Sequence, residues 1–442
     1  MKLSLFSTIT FLFLGTFGVS GRVTTADSIA ADPGRAGGVY YAYPITNDSQ
    51  VSFTATPDGY EPFYASHYGR HGSRYLISDE DYTRVKKWLD RAYKDRELSP
   101  RGELLKHQID TILIEANGRG GELTPLGNRQ HHAIARRLIT TNPEIFEGSP
   151  DITATSTVVM RCAHSMFAFI EALKEVNPTL TIPRESGQRD MIYMNYHTPE
   201  SNTHSGHNGT WYPLWRNFRN RQTNPDRLMA SLFNNKEKAD YYVDTKEAMW
   251  DLYWITVDLQ NMETDIRLYD LFTPDELYDL WQVFNYNFYA CNSSYPDAEG
   301  THTDNAQNLL RNIVTTSDSY IAEGKNGATL RFGHDGNIIP LVALMRLNDC
   351  YAYEVVPERL AESYADYSIS PMAANLQLIF YRPKASNYSG DDVLVKVMLN
   401  EREIAFDDLD SDIYPYYRWN SLRPLLEQYI TTPSAAYIPA NH

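Results

Sequence analysis

The sequence predicts an α/β fold in which a core sheet flanked by helices is interrupted by an inserted, mainly helical cap. Three observations point there. Short β-rich runs alternate with amphipathic helical patterns over 22–188, and again over 301–442. Between 189 and 300 the texture changes: Tyr, Trp, Asn and His are dense, strand signals are scarce and helical patterns run long. The 442 residues are 42% hydrophobic and 22% charged, a balance that supports a large core or two and excludes a disordered, collagenous or coiled-coil chain.

Each element has a local reason. Lys2 precedes an apolar run from Leu3 to Val19, and Val19-Ser20-Gly21 then offers small side chains for cleavage, so residues 1–21 read as a secretory signal. The run is near the lower limit for a spanning helix, and no later stretch is long and apolar enough to cross a bilayer. A secreted or periplasmic protein, free of the membrane after cleavage, is expected. Asp32 to Gly38 is a flexible lead-in, and Phe63 to Tyr68 is a short strand. A helix follows Ser78, a capping residue, with Asp79, Glu80 and Asp81 at its positive end and Val85, Trp88, Leu89 and Ala92 on one face. Thr124 and Pro125 start a second helix. Ile152 to Val159 reads as a strand and Ala163 to Leu173 as a helix. In the cap, helical patterns cover Ala248–Leu259 and the stretch after Thr273-Pro274-Asp275-Glu276, a capping box. Ala328 to Gly333 is a strand, and Asn337 is expected to cap a helix carrying Leu341, Leu344, Met345 and Leu347. Leu376–Arg382 and Val393–Leu399 read as neighbouring strands of a meander.

Charge narrows the partners. Lys+Arg 40 against Asp+Glu 56 gives a formal −16, which excludes a whole-surface partner such as duplex DNA or an anionic membrane. A locally basic pocket for an anion is compatible with that balance. Cys162, Cys291 and Cys350 allow one disulfide at most, and their spacing matches no zinc site. Asn47, Asn208, Asn292 and Asn387 fit the short glycosylation pattern.

Three clusters carry chemistry. In Arg70-His71-Gly72-Ser73-Arg74, two guanidiniums flank an imidazole at a strand end. Arginine suits a tetrahedral dianion because its fork donates paired hydrogen bonds and keeps its charge. A neutral imidazole nitrogen attacks phosphorus competently once its tautomer is held. A solvated basic turn is the bland alternative. In Arg331-Phe332-Gly333-His334-Asp335-Gly336-Asn337, between a strand and a helix N-terminus, His334 suits a phosphate oxygen. Asp335 suits protonation of a leaving alkoxide if the site raises its pKa. Taken alone, that motif also reads as turn and cap residues. In Met160-Arg161-Cys162-Ala163-His164-Ser165, Arg161 is either a third cation for the same pocket or a surface residue at a helix start.

The strand followed by Arg70-His71-Gly72-Ser73-Arg74, with His334-Asp335 far downstream, resembles the histidine acid phosphatases, branch 2 of the histidine phosphatase superfamily. Gly121-Glu122-Leu123-Thr124-Pro125-Leu126-Gly127 resembles the same family. Ser156-Thr157, Arg161-Cys162, Ser165 and Phe169 resemble more narrowly the multiple inositol polyphosphate phosphatases and related phytases. One departure stands out. Those inositol phosphatases place a Glu two residues after the His, whereas His334-Asp335-Gly336 has the order of other acid phosphatases and phytases.

The resemblance implies a histidine-phosphatase-like sheet and a metal-free, cofactor-free phosphomonoesterase. His71 would be the nucleophile, Asp335 the general acid, and Arg70, Arg74, Arg161 and His334 the phosphate ligands. The expected partner is a small phosphate monoester, most naturally phytate or a lower inositol polyphosphate. A broad or glucose-1-phosphate-type phosphatase and a catalytically silent binding protein are the alternatives. No nucleic acid partner is expected, and the chain reads as a monomer or weak homo-oligomer. Lys86, Lys87, Arg119 and Arg189 are candidates for extra phosphates, with a solvated face as the default for each. His204 and His207 lack a carboxylate at metal-ligand spacing, and Asp407 to Asp412 reads as a solvated helix start. Trp211, Trp215 and Trp250 fit either sugar stacking or ordinary packing.

Overall fold

The computed structural model describes residues 23–385 and 389–431; the expected signal over 1–21 and the acceptor Asn387 lie outside them. One sheet contains β1 (Tyr60–Arg70), β2 (Asp151–Ser156), β3 (Arg184–Glu185), β4 (Gly327–Gly333), β5 (Asn375–Pro383), β6 (Leu394–Leu399), β7 (Arg402–Glu403) and β8 (Tyr416–Arg418). The order is β3-β2-β4-β1-β5-β6-β7, with β8 also paired to β6. Pairings from β3 through β1 are parallel, and those from β1 to β5 and onward are antiparallel. The longer helices are α1 (Asp79–Lys94), α2 (Pro100–Ala116), α3 (Pro125–Thr141), α4 (Met160–Val176), α5 (Trp211–Gln222), α6 (Thr245–Asp258), α7 (Pro274–Asn292), α8 (Gln307–Glu323), α9 (Asp335–Leu344) and α10 (Trp419–Tyr429).

Both faces of the central part of the sheet are covered, so β1, β5 and β6 are buried along nearly their whole length. Along β5 the side chains alternate: Leu376, Leu378 and Phe380 join Ile338, Leu341 and Leu422 on one side. Ile379 and Tyr381 join Ile134, Leu138 and Phe169 from α3 and α4 on the other. A separate core, built around Trp88, Leu105, Ile109, Phe218, Trp250 and Trp281, unites α1 and α2 with α5, α6 and α7. Among the described residues there is no strand between β3 and β4.

The caps at Ser78, Thr124 and Thr273 form as the sequence predicts. Four expectations need correction. Asp32 to Gly38 is no flexible lead-in, because Asp32 caps a 3₁₀ helix over Pro33–Tyr40 in which Ala36, Gly37, Gly38 and Val39 are buried. Asn337 does not cap α9; His334, the last extended residue, occupies that position, and Asn337 is buried inside the first turn. β2 stops at Ser156, because the chain must turn there into α4, which begins at Met160. Asp407–Asp412 forms turns around a Phe406–Leu409 bridge and starts no helix. All three cysteines are free. No helix among the described residues is long and apolar enough to cross a membrane.

Candidate active site

The three clusters meet because their strands are neighbours in parallel register. Arg70 at the end of β1 pairs with Gly333 at the end of β4, and Ser156 at the end of β2 pairs with Phe332. Neighbouring strands lie about 4.8 Å apart. The turns that leave β1, β2 and β4 at their carboxyl ends therefore face one crevice, where open α/β sheets bind ligands.

Arg70 is fully buried. Its guanidinium donates to the carbonyls of Val39 (2.5 Å) and Ser370 (2.7 Å), and to Asp335 Oδ2 at 2.7 Å. Those fixed acceptors lock the fork at the crevice floor. His71 is 2% exposed, and its backbone N–H donates to Gly333 O at 2.9 Å. Its Nδ1 lies 2.9 Å from Gly72 O. A carbonyl oxygen only accepts, so Nδ1 carries the proton and Nε2 keeps its lone pair. Burial, then Arg70, Arg161 and Arg74, push the imidazole pKa well below its usual value, which keeps the ring neutral.

Arg74 is 5% exposed, and its guanidinium sits 4.6 Å from the centre of the Tyr40 ring. Arg161, at the start of α4, is partly exposed. Burial lowers the Arg161 pKa, with Arg74 as the next cause, and Arg74 and Arg161 act likewise on Arg70. This mutual repulsion marks a concentration of positive charge suited to a dianion.

His334 packs near-perpendicular to His71, with ring centres 5.7 Å apart. Its Nε2 lies 3.1 Å from Thr157 Oγ1, and its backbone N–H donates to the Tyr68 hydroxyl oxygen at 3.2 Å. Burial, reinforced by Arg161, Arg70 and Arg74, pushes its pKa down to about 4. Asp335 differs from expectation. Burial pushes its carboxyl up, but Arg70, His334 and Arg74 outweigh that and hold it below the ordinary carboxylate range. The condition for acid catalysis is thus unmet while Asp335 pairs with Arg70.

The turn after β1 is held by small residues and by an internal hydrogen-bond set. A Cβ on Gly72 would lie 2.4 Å from Gly127 O, so the turn and the start of α3 touch backbone to backbone. Ser165 Oγ accepts the Gly72 N–H at 3.1 Å. Ser73 donates its N–H to Gln130 and its hydroxyl to Asn261. Sequence reasoning singled out Thr157 within Ser156-Thr157 but missed Tyr40, Asn261 and Asp366. Asp366 Oδ2 accepts the Val39 N–H, and the Val39 carbonyl in turn holds Arg70. These partners are tens to hundreds of residues from the motif, and no local pattern announces them.

The profile of the histidine phosphatase superfamily (branch 2) matches residues 69–400, most of the chain. The chain belongs to that family. It is therefore a phosphomonoester hydrolase. No curated protein matches it in sequence. A multiple inositol polyphosphate phosphatase of Bifidobacterium longum, in complex with inositol hexasulfate, superposes with a TM-score of 0.74 at 17% identity, covering 89% of this chain and 97% of that one. The phytase of D. castellii gives 0.69 at 16% identity, covering 90% and 85%. The Hafnia alvei phytase gives 0.51 at 12% identity, covering 85% and 98%. At these identities the likeness is one of fold.

The remaining candidates of this histidine phosphatase lie elsewhere or are already paired. Lys86 contacts Asp90 and Asp110, Arg119 contacts Glu122, and Arg189 contacts Glu185. Lys87 is exposed on α1. His204 faces His302 while His207 stacks on Tyr212, so the two imidazoles have different neighbours.

Proposed function

We propose that this chain hydrolyses phosphate monoesters through a phosphohistidine, with inositol phosphates as substrates. The observation that carries the mechanism is His71, held as the Nδ1–H tautomer among Arg70, Arg74 and Arg161. Nε2 attacks phosphorus and the bond to the leaving oxygen breaks. Arg70, Arg74, Arg161 and His334 hold the phosphoryl oxygens as charge moves onto them, usually the largest contribution to catalysis of such transfers. A phosphate oxygen takes the Arg70 Nη2 donor from Asp335, and its negative charge raises the Asp335 pKa. Asp335 then takes up a proton and delivers it to the leaving oxygen. Water finally attacks phosphorus, giving its proton to the now ionised Asp335, and the Nε2–phosphorus bond breaks to release phosphate.

The inositol substrate is supported by Ser156-Thr157, Arg161-Cys162, Ser165 and Phe169, and by the fold shared with the phosphatase solved with inositol hexasulfate. A sugar monophosphate is the second reading. It is favoured by the ion pairs that already occupy Lys86, Arg119 and Arg189. Residues 189–300 would form a helical cap between the core segments 22–188 and 301–442. The leader over 1–21 supports secretion or a periplasmic location.

The test is phosphate release by the purified protein from phytate and from glucose 1-phosphate, at pH 4 to 7 with EDTA present. Release from phytate supports the inositol reading. Release from glucose 1-phosphate alone retains the mechanism and discards that substrate. No release from either ester overturns the proposed activity.

A further inference from the structure

We infer that Asp366 is a positioning residue for the phosphate site: anchored from α7, it fixes both backbone carbonyls that aim the Arg70 guanidinium. The inference deepens the phosphatase reading above and rests on Arg70 as a phosphate ligand.

Arg70 meets the crevice with a divided fork. Nη2 reaches Asp335, while Nη1 donates to the carbonyls of Val39 at 2.5 Å and Ser370 at 2.7 Å. When a phosphate oxygen takes Nη2 from Asp335, those two carbonyls still orient the guanidinium. A carbonyl can do so only if its own peptide is held in place.

Both residues are held by Asp366. Its Oδ2 accepts the Val39 N–H at 3.2 Å, and its backbone carbonyl accepts the Ser370 N–H at 2.9 Å. The fit on the Val39 side is close. Gly38 adopts a φ of +54°, and a Cβ there would lie 2.4 Å from Asp366 Oδ2, so the chain bends around the carboxyl group.

Asp366 is in turn held from the helical region. Trp281 donates its indole N–H to Asp366 Oδ1 at 3.0 Å. Asn285, one turn further along the same face of α7, accepts the Asp366 N–H at 3.0 Å. The Asn285 amide also donates to Tyr364 O at 3.0 Å, which fixes its orientation. Arg70, Ser370, Asp366, Trp281 and Asn285 are all fully buried. No solvent replaces a lost partner there, so a displacement at α7 passes through Asp366 to the guanidinium. An apolar side chain would fill this position without the cost of burying a carboxyl group. Only an acceptor on each side serves both the Val39 and the Trp281 N–H.

The experiment is a double-mutant cycle between Asp366→Asn and Arg70→Ala. It is read as kcat/KM for p-nitrophenyl phosphate and as the inhibition constant of inorganic phosphate. Asn keeps the size of Asp366 but turns one acceptor into a donor, so either Val39 or Trp281 loses its bond. With Arg70 present it should lower kcat/KM about 10²-fold, the usual result of misplacing a reacting group by about 1 Å, and weaken phosphate inhibition. In Arg70→Ala the same substitution should cost less than about threefold, because the group it orients is gone. Trp281→Phe keeps an aromatic ring and removes the indole donor. It should lower kcat/KM about tenfold with Arg70 present and little without it, and it decides the matter if Asp366→Asn fails to fold.

The inference is overturned if both variants retain wild-type kcat/KM. It is also overturned if their losses are as large in Arg70→Ala as with Arg70 present, since a merely structural role would persist there. An Arg70→Ala enzyme as active as wild type overturns Arg70 as a phosphate ligand, and the inference with it. No turnover by the wild type overturns the phosphatase reading itself.

Discussion

Arg70 and Asp335 form a 2.7 Å ion pair across the ends of adjacent parallel strands, although they stand far apart in the chain. The Arg70 side chain is fully buried and that of Asp335 is 22% exposed, so the pair presents its carboxylate toward the crevice. A phosphate that binds Arg70 must displace that carboxylate. Ligand binding and protonation of the proposed acid are thereby coupled through one guanidinium.

Removing the acid tests that coupling. Asp335→Asn should slow alkyl phosphates about 10²–10⁴-fold, the usual worth of a general acid. Activated aryl phosphates, whose leaving groups need little protonation, should slow much less. Rates on p-nitrophenyl phosphate and on glycerol phosphate check it, and equal slowing of both removes Asp335 from the role.

His71→Ala should abolish turnover while retaining the fold, since the imidazole's hydrogen bond goes to the carbonyl of the next residue and joins no other element. Rapid acid-sensitive labelling by radioactive substrate should trap a phosphoenzyme in the wild type and none in the variant. A variant that still turns over excludes His71 as nucleophile.

Gly72→Ala should cost about 1–3 kcal/mol through overpacking, because the new Cβ would lie 2.4 Å from Gly127 O, a backbone atom. Urea midpoints should fall accordingly, and activity should fall further as the turn carrying His71 shifts. An unchanged midpoint would show that the two backbones separate freely.

Stability should fall as pH drops from about 6.5. His67 is pushed down to about 3, His131, His302 and His334 to about 4, and His71 well below its usual value, in each case by burial first. The unfolded chain protonates these groups near pH 6.5 while the folded one does not, so each costs about 1.4 kcal/mol per pH unit until its folded pKa is reached. Asp258 and Asp366, raised to about 7 by burial, act in the opposite sense: their contribution is complete below the unfolded pKa and is lost as pH rises through 7. The imidazoles outnumber them. Calorimetry should show a lower Tm at pH 4.5 than at pH 6.5; a higher one contradicts the balance.

Thiol titration in denaturant should count three groups, since Cys162, Cys291 and Cys350 are all free. In the native protein they should react slowly, because burial pushes Cys162 and Cys291 up to about 12 and Cys350 higher still. A count of one would reveal a disulfide.

Much of this was legible in the chain. The residues of Arg70-His71-Gly72-Ser73-Arg74 are contiguous, and the caps at Ser78, Thr124 and Thr273 depend on atoms within three residues, so a local pattern captures them. Asn337 misled for the same reason. Its side chain is a good cap in isolation, but the extended backbone of β4 reaches His334 and moves the helix start forward.

The amino-acid order alone determined the strand–helix alternation, the family resemblance and the identity of the candidate residues, because each is written within a few positions. Tertiary structure decided how those residues are charged and what surrounds them. Parallel register set Arg70 against Asp335 and reversed the expected pKa shift, since Arg70 at 2.7 Å, His334 and Arg74 together outweigh burial. Packing set Tyr40 over Arg74 and paired Arg84 and Arg219 with carboxylates. Such contacts join distant segments, and their strength depends on distance and desolvation, quantities that exist only once the chain has folded.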